Sequence, residues 1–237
     1  MRHAVYFAPP QDDPLNRAAA LWLGRDAFSQ DGITPPADAG LPLEEWQALT
    51  AEPRRYGFHA TLKAPFSLRA GKTADELADA FDAFCRTTPA VTIPKLCLAE
   101  IGPFFALVPD GDSQAVDDLC AAITRVFEPF RAPLSPEDMA RRRPERLTER
   151  QRAHLDAWGY PYVFEEFRFH MTLTGPVPEE ARPRLRALLE ARFSAFTERP
   201  LAIAHLGLFV EPERGAPFHI DRHAPLGGTP NAERNLA

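Results

Sequence analysis

The sequence lacks the marks of several common classes of protein. Its only cysteines, Cys85, Cys97 and Cys120, form no C-x-x-C pair. No apolar stretch is long enough to span a membrane, and the N-terminal apolar stretch is too short for a signal peptide. Neither a G-x-x-x-x-G-K-[ST] loop nor a G-x-G-x-x-G loop is present. We therefore predict a reduced, cytoplasmic chain with no membrane contact and no cofactor.

Acidic residues outnumber basic ones. The chain has 27 lysines and arginines against 33 aspartates and glutamates, which gives a formal net charge of -6 at pH 7. This balance argues against a general nucleic-acid scaffold, although it leaves a local basic patch open. Hydrophobic residues make up 45% of the 237 residues. That is enough for one sizeable core, or for two small lobes that share a cleft.

The chain does contain a repeated motif. Residues 59–65 read H-A-T-L-K-A-P, and residues 170–176 read H-M-T-L-T-G-P. Side chains alternate between two faces of a strand, so each histidine shares a face with the threonine two residues later. A solvated outer face could show the same alternation, but it would rarely repeat His-x-Thr in both halves of a chain. We therefore interpret the repeat as the functional core.

Paired histidines are suited to proton transfer. One imidazole can deprotonate an attacking hydroxyl or water while the other protonates the leaving oxygen. A threonine hydroxyl on the same face can donate to a non-bridging phosphoryl oxygen. Two such strands, with His59, Thr61, His170 and Thr172 facing one pocket, would suit a phosphodiester. The spacing does not say which histidine is the acid and which is the base.

Hydrophobic periodicity predicts the same order in both halves, namely motif strand, helix, strand, strand. The predicted strands cover residues 3–8, 57–63, 91–101, 104–108, 167–174, 201–210 and 217–223. Helices are predicted after Asp13 and after the capping box at Thr73, and at residues 43–49, 114–127 and 179–196. The rest of residues 31–55 is predicted as loop.

We predict a single bilobal domain over residues 1–226. Its lobes lie at about residues 1–130 and 163–226, and an arginine-rich helical insert at residues 131–162 separates them. Residues 227–237 have no core-forming pattern and are predicted as a disordered tail. The sequence does not indicate an oligomeric state.

The paired H-x-[ST]-hydrophobic motifs resemble those of the 2H phosphoesterase superfamily. Three segments are also similar to one bacterial branch of it, the DUF1045 family, which is linked to phosphonate metabolism. They are residues 56–66, the A-R-R-R-P run at 140–144, and residues 158–175. The resemblance extends from the first strand to about residue 225.

This resemblance implies an α+β fold in which two pseudo-symmetric antiparallel sheets line a cleft and helices lie outside. It implies a metal-independent cyclic phosphodiesterase with a small-molecule substrate. His59 and His170 would be catalytic, and Thr61 and Thr172 would bind phosphate. The phosphonate link suggests 5-phosphoribosyl 1,2-cyclic phosphate as the substrate, because cleavage of carbon–phosphorus bonds generates cyclic phosphates of ribose.

Other residues are candidates for binding the substrate. Lys63 shares the predicted face of the first motif histidine and could contact phosphate as a point charge. Arg141 and Arg143 could bind a second phosphate or act as a lid, although a solvated helix face is the simpler interpretation for most insert arginines. Arg168, on the face of the second histidine, could orient phosphate. Tyr6 could line the cleft or be a core tyrosine with its hydroxyl at the rim.

Three alternatives stay open at this point. The substrate could be an RNA 2′,3′-cyclic phosphate, which the acidic balance disfavours. The chain could be a non-catalytic module that binds a phosphorylated metabolite. It could also be a metal-dependent hydrolase using His219 and His223. An extended segment would separate those two rings by about 13 Å, so no metal site is predicted.

Overall fold

The computed structural model describes residues 1–29, 32–34 and 40–228, and it shows the α+β class that the sequence predicts. No helix in these ranges is long and apolar enough to cross a membrane. The strands are β1 (Arg2–Phe7), β2 (Ala60–Phe66), β3 (Val91–Ile93), β4 (Leu96–Ile101), β5 (Phe104–Pro109), β6 (Met171–Thr172), β7 (Leu201–Ile203), β8 (His205–Glu211) and β9 (His219–Pro225). The α-helices are α1 (Pro14–Leu23), α2 (Leu43–Tyr56), α3 (Ala74–Thr87), α4 (Gln114–Val126), α5 (Pro136–Arg141), α6 (Glu149–Trp158) and α7 (Arg182–Phe193).

A seven-stranded sheet forms the centre of the protein, in the order β4-β5-β6-β2-β1-β8-β9. Every pairing in it is antiparallel, and β3 and β7 pair separately as a small antiparallel sheet. The motif strands β2 and β6 are neighbours and join through one residue pair, Ala60 with Met171. The large sheet therefore consists of two antiparallel groups, β4-β5-β6 and β2-β1-β8-β9, which meet at the motifs.

Each group of strands draws on both halves of the chain. β4 and β5, from residues 1–130, lie with β6 from residues 163–226. In the other group, β8 from the second half pairs with β1 from the first. Arg2 lies opposite Glu211 at one end of this pairing, and Tyr6 lies opposite Gly207 at the other. Hydrophobic periodicity marks the buried face of a strand but does not name its partner. The exchange of strands was therefore invisible in the sequence pattern.

Strand β1 is buried on both faces, because apolar clusters cover the sheet on each side of it. Val5 and Phe7 pack into the main hydrophobic core. On the opposite face, Tyr6 packs into a smaller cluster with Phe209 and Phe218. This smaller cluster supports the candidate site described below.

Helix α2 is longer than the predicted helix at residues 43–49. It continues past Pro53, which lacks an N–H and normally interrupts a helix. Pro53 is buried, and its carbonyl accepts a hydrogen bond from the N–H of Gly57 at 3.2 Å. The helix ends at Gly57, whose φ of 75° favours glycine. A Cβ at Gly57 would also lie 2.7 Å from the Cβ of Ala27. This tight turn fixes where the first motif begins.

The motif strands are displaced or shortened relative to their predictions at residues 57–63 and 167–174. β2 begins only after His59, and β6 contains two residues. After β6 the chain leaves the ladder, because the N–H groups of Leu173 and Thr174 both donate to the carbonyl of Phe105, at 2.9 and 3.3 Å. The predicted strand at residues 91–101 is likewise split at Pro94 into β3 and β4, which join different sheets.

The first two residues of the predicted tail are bound to the body of the protein. The N–H of Gly227 donates to the carbonyl of Cys85, and the N–H of Gly228 donates to that of Thr88, both at 2.9 Å. The rest of the predicted tail, residues 229–237, lies outside the described residues. Parts of the predicted loop at 31–55 also lie outside them.

Candidate active site

A cavity of about 360 Å³ lies where β2 and β6 meet, and all four predicted motif residues line it. His59 stands directly before β2, and His170 stands directly before β6. The residue pair that joins these strands is antiparallel. Extending that register by one residue to each side puts His59 beside Thr172 and Thr61 beside His170. Each histidine therefore lies next to the threonine of the other motif.

The same local hydrogen bond holds both histidines. Nδ1 of His59 donates to the carbonyl of Gly57 at 2.9 Å, and Nδ1 of His170 donates to the carbonyl of Arg168 at 2.8 Å. A carbonyl oxygen can only accept, so we assign the proton of each neutral ring to Nδ1. Nε2 then keeps its lone pair. In His59 this Nε2 lies 3.3 Å from the hydroxyl oxygen of Thr61.

Aromatic side chains enclose His59. Its ring stacks on Tyr6 with centroids 4.2 Å apart, and it lies 5.6 Å from the ring of Tyr56. Burial lowers the pKa of His59 to about 4, and the nearby His170 imidazole acts in the same direction because it repels a second positive charge. At neutral pH His59 is therefore an uncharged imidazole that can accept a proton.

Tyrosine hydroxyls surround the same cavity. Tyr6 lines it and is also buried in the smaller cluster, so both interpretations of Tyr6 made from the sequence hold. Burial raises the pKa of Tyr6 well above its ordinary value and raises that of Tyr160 to about 12. Tyr56 lines the cavity as well. Tyr56 and Tyr160 were not predicted as site residues, although both lie in the segments that carry the family resemblance.

Thr174 has a structural role although it also reaches the cavity. Its hydroxyl oxygen accepts a hydrogen bond from the backbone N–H of Phe105 at 3.0 Å, in the interior of the protein. This bond holds the chain that follows the second motif against β5.

Lys63 does not line this cavity, which corrects its predicted contact with phosphate. Its side chain is 5% exposed, and its Nζ donates to the carboxylate of Glu128 at 2.9 Å and to a main-chain carbonyl of α4 at 3.2 Å. The cause is a β-bulge. Tyr6 pairs with Thr61 but Val5 pairs with Lys63, so β2 contains one residue too many between these pairs. The bulge puts Lys63 on the face opposite to Thr61.

The insert supplies an arginine to the cavity, but not one that was predicted. Arg141 is 51% exposed and pairs with Glu137 at 2.5 Å, and Arg143 is exposed beyond the end of α5. Neither lines the cavity; Arg142 does, with its guanidinium carbon 5.0 Å from the centroid of the Tyr160 ring. Successive residues of a helix point about 100° apart. One of three consecutive arginines can therefore face inward while its neighbours face solvent, and composition does not say which.

A second chamber, of about 530 Å³, adjoins the cavity at His170. Phe104, Tyr160 and Tyr162 contribute aromatic surface to its wall. The exposed side chain of Arg168 lines this chamber and not the motif cavity. The groove thus continues past His170 toward solvent.

The histidines of β9 are separated along the strand, which is extended as predicted. Nε2 of His223 donates to the carbonyl of Ala8 at 3.0 Å, and its ring stacks on that of His205 with centroids 5.1 Å apart. His219 is four residues away at the other end of β9. Within the ranges that the structure describes, no group of three or more histidine, cysteine, aspartate or glutamate side chains is placed to hold a metal ion.

The fold and the cavity define an α+β protein in which paired histidines and paired threonines meet at the centre of an antiparallel sheet. The model of the DUF1045 family, described as a protein of unknown function, matches residues 61–219. The chain therefore belongs to this family.

Two curated relatives carry the name ribose 1,5-bisphosphate phosphokinase PhnN. The protein from Janthinobacterium sp. (strain Marseille) is 37% identical over 231 residues, which cover 96% of this chain and 51% of that protein. The protein from Laribacter hongkongensis (strain HLHK9) is 33% identical over 226 residues, which cover 94% of this chain and 51% of that protein. The chain thus spans about half the length of the curated relatives it matches.

Two solved structures align with nearly the whole of this chain. The protein TT0787 of Thermus thermophilus has a TM-score of 0.47 and 12% identity, with 96% of this chain and 99% of that chain covered. A phosphoesterase has a TM-score of 0.40 and 12% identity, with 95% of this chain and 98% of that chain covered. Similarities at this level do not bear on function.

Proposed function

We propose that this chain is a metal-independent cyclic phosphodiesterase in which His59 is the general base and His170 is the general acid. The observation that supports this most is that both imidazoles, each tied through Nδ1 to its own backbone, line one cavity. The low pKa of His59 keeps that ring ready to accept a proton. In this scheme His170, the other imidazole in the cavity, supplies the second proton.

The reaction needs two proton transfers. Water attacks the phosphorus of the cyclic diester while Nε2 of His59 removes a proton from the water. In this scheme His170 enters the reaction protonated on both ring nitrogens. The bond between phosphorus and one ring oxygen breaks, and the Nε2 proton of His170 passes to that oxygen. The products are a phosphomonoester and a free hydroxyl, and both imidazoles then exchange protons with solvent. Each positioned acid or base of this kind contributes roughly 10²- to 10⁴-fold.

The remaining motif residues stabilise charge on the phosphoryl group. The hydroxyls of Thr61 and Thr172 lie in the same cavity and can donate to its non-bridging oxygens. A bound phosphodiester is itself an anion, and an anion beside an imidazole raises the pKa of the ring. His59 therefore becomes a stronger base when the substrate is present than it is in the empty cavity.

The substrate that we propose is 5-phosphoribosyl 1,2-cyclic phosphate. Hydrolysis of its phosphorus–O2 bond leaves the phosphate on C1 and gives ribose 1,5-bisphosphate. That product is the compound in the name of the two curated relatives, which match this chain over half of their length. In this scheme the chain produces the phosphate ester that a kinase of that name consumes.

A second candidate substrate is an RNA or nucleoside 2′,3′-cyclic phosphate. The observation that favours it is the aromatic chamber beside His170, since bases stack on tyrosine and phenylalanine rings. Binding to RNA oligomers that weakens steeply with salt would support this candidate.

A substrate panel tests the proposal. The purified chain, treated with chelator, should hydrolyse 5-phosphoribosyl 1,2-cyclic phosphate faster than nucleoside 2′,3′-cyclic phosphates. The reverse order would favour the second candidate. Tight binding of phosphate esters with no hydrolysis across the panel would indicate a metabolite-binding module and would overturn the proposed enzyme.

A further inference from the structure

Arg142 brings a fixed positive charge into the motif cavity. It directly follows α5, and it lines the cavity together with both motif histidines. Among the described residues that form this wall, Arg142 is the sole lysine or arginine. Because His59 is neutral, the guanidinium is the permanent positive charge that a second anionic group of a ligand would meet there.

Arg142 has no acidic partner within residues 1–29, 32–34 and 40–228, whereas two other arginines of the insert do. Arg141 pairs with Glu137 at 2.5 Å, and Arg150 lies 3.5 Å from Glu165. Glu52 also lines the cavity but forms no ion pair with Arg142. The guanidinium donors of Arg142 are therefore available to an anion that enters the cavity.

The ring of Tyr160 holds the guanidinium in place. The centroid of this ring is 5.0 Å from the guanidinium carbon of Arg142. The ring of Tyr162 packs edge-on against the Tyr160 ring, and the two ring centroids are 5.5 Å apart. Arg143, the next residue, adopts a left-handed backbone with φ of 49°, which non-glycine residues seldom do. This turn ends the helix and leaves Arg142 over Tyr160 while its neighbours stay in solvent.

We infer that Arg142, supported by Tyr160, binds a phosphomonoester group of the substrate at a point separate from the phosphorus that is attacked between the histidines. A planar guanidinium that lies over an aromatic ring keeps N–H groups free for two parallel hydrogen bonds to phosphate. This inference rests on the proposed function, because it assigns the 5-phosphate of the proposed sugar substrate to Arg142. The insert would thus select a cyclic phosphodiester that carries a second phosphate.

Direct binding tests the site without turnover. Ribose 5-phosphate serves as the probe, with ribose as the uncharged reference, in isothermal titration calorimetry of the full chain. We expect Arg142→Ala to weaken ribose 5-phosphate binding by about 10- to 100-fold, as for loss of charged hydrogen bonds, and Arg142→Lys to weaken it less. Arg141→Ala, one residue away and exposed outside the cavity, should bind like the unaltered chain. Equal affinity of Arg142→Ala and the unaltered chain would overturn the inference.

A kinetic comparison separates this inference from the proposed function. Ribose 1,2-cyclic phosphate lacks the 5-phosphate, so its kcat/KM should be nearly the same in Arg142→Ala and the unaltered chain. The preference for the 5-phosphorylated substrate should fall by about 10- to 100-fold in Arg142→Ala, mainly through KM. If neither cyclic substrate is hydrolysed while ribose 5-phosphate binding still depends on Arg142, the proposed function fails and the binding site stands. An equal loss on both substrates would contradict the site.

Discussion

Ala60 of β2 is paired with Met171 of β6 across the middle of the sheet, and both side chains are buried in the main core. Each lies between the histidine and the threonine of its own motif. Because alternate residues point to opposite faces, this buried pair places the four polar residues of the two motifs on the cavity side. The core contact and the candidate site are thus two faces of one junction between strands.

Stability should depend on the protonation of His59. Its pKa is about 4 in the folded chain and near 6.5 in an unfolded one. Between these values the unfolded chain binds more protons, so stability should be full above about pH 6.5 and should fall as the pH drops toward 4, by up to about 3 kcal/mol. Urea unfolding at several pH values measures this loss. In His59→Asn that part of the pH dependence should disappear, and an unchanged pH dependence in this variant would contradict the assignment.

Lys63→Met should lower stability without affecting substrate binding. Lys63 is buried against Glu128, which would keep Arg131 as a partner at 2.7 Å, so we expect a loss of about 1–3 kcal/mol in the free energy of unfolding. Urea unfolding and KM measure the two effects. Lys72→Met is the matched control, since its ion pair with Glu76 is exposed and screened by solvent, so its loss should leave stability nearly unchanged. A raised KM with unchanged stability would instead place Lys63 at the phosphate.

Thr61 and Thr172 should affect catalysis, whereas Thr174 should affect stability. Thr61→Val and Thr172→Val keep the shape of the side chain but remove the hydroxyl, so each should lower kcat/KM by about 10- to 100-fold. Thr174→Val leaves the N–H of Phe105 without its buried acceptor, and it should cost about 1–3 kcal/mol of stability while kcat/KM stays close to that of the unaltered chain. Steady-state kinetics and urea unfolding test both expectations. Equal kinetic losses in all three variants would contradict the separation.

The sequence was sufficient to predict the class of fold and the meeting of the two motifs. His59 and His170 stand in matched strings of alternating polar and apolar residues, and that alternation survives in the structure as a cavity side and a core side. Helix starts such as the capping box at Thr73 also follow from local hydrogen bonding, and the structure confirms that box.

Features that depend on contacts between distant segments were not predictable from the sequence. The bulge in β2 that turns Lys63 away from the cavity shows only when β2 is paired with β1. The placement of Arg142, rather than Arg141 or Arg143, depends on where α5 ends and on the ring of Tyr160 beyond α6. The exchange of strands between the two halves is likewise a property of partners and not of periodicity.

In the proposed mechanism His59 and His170 act together on one phosphodiester. The most direct test measures kcat/KM for 5-phosphoribosyl 1,2-cyclic phosphate in His59→Ala, in His170→Ala and in the double variant, each shown to be folded by circular dichroism. Each single variant should lose at least about 10²-fold, and the double variant should be little worse than the weaker single one, because an acid and a base that act in one step are not additive. Near-complete activity in either single variant would contradict the two-histidine mechanism.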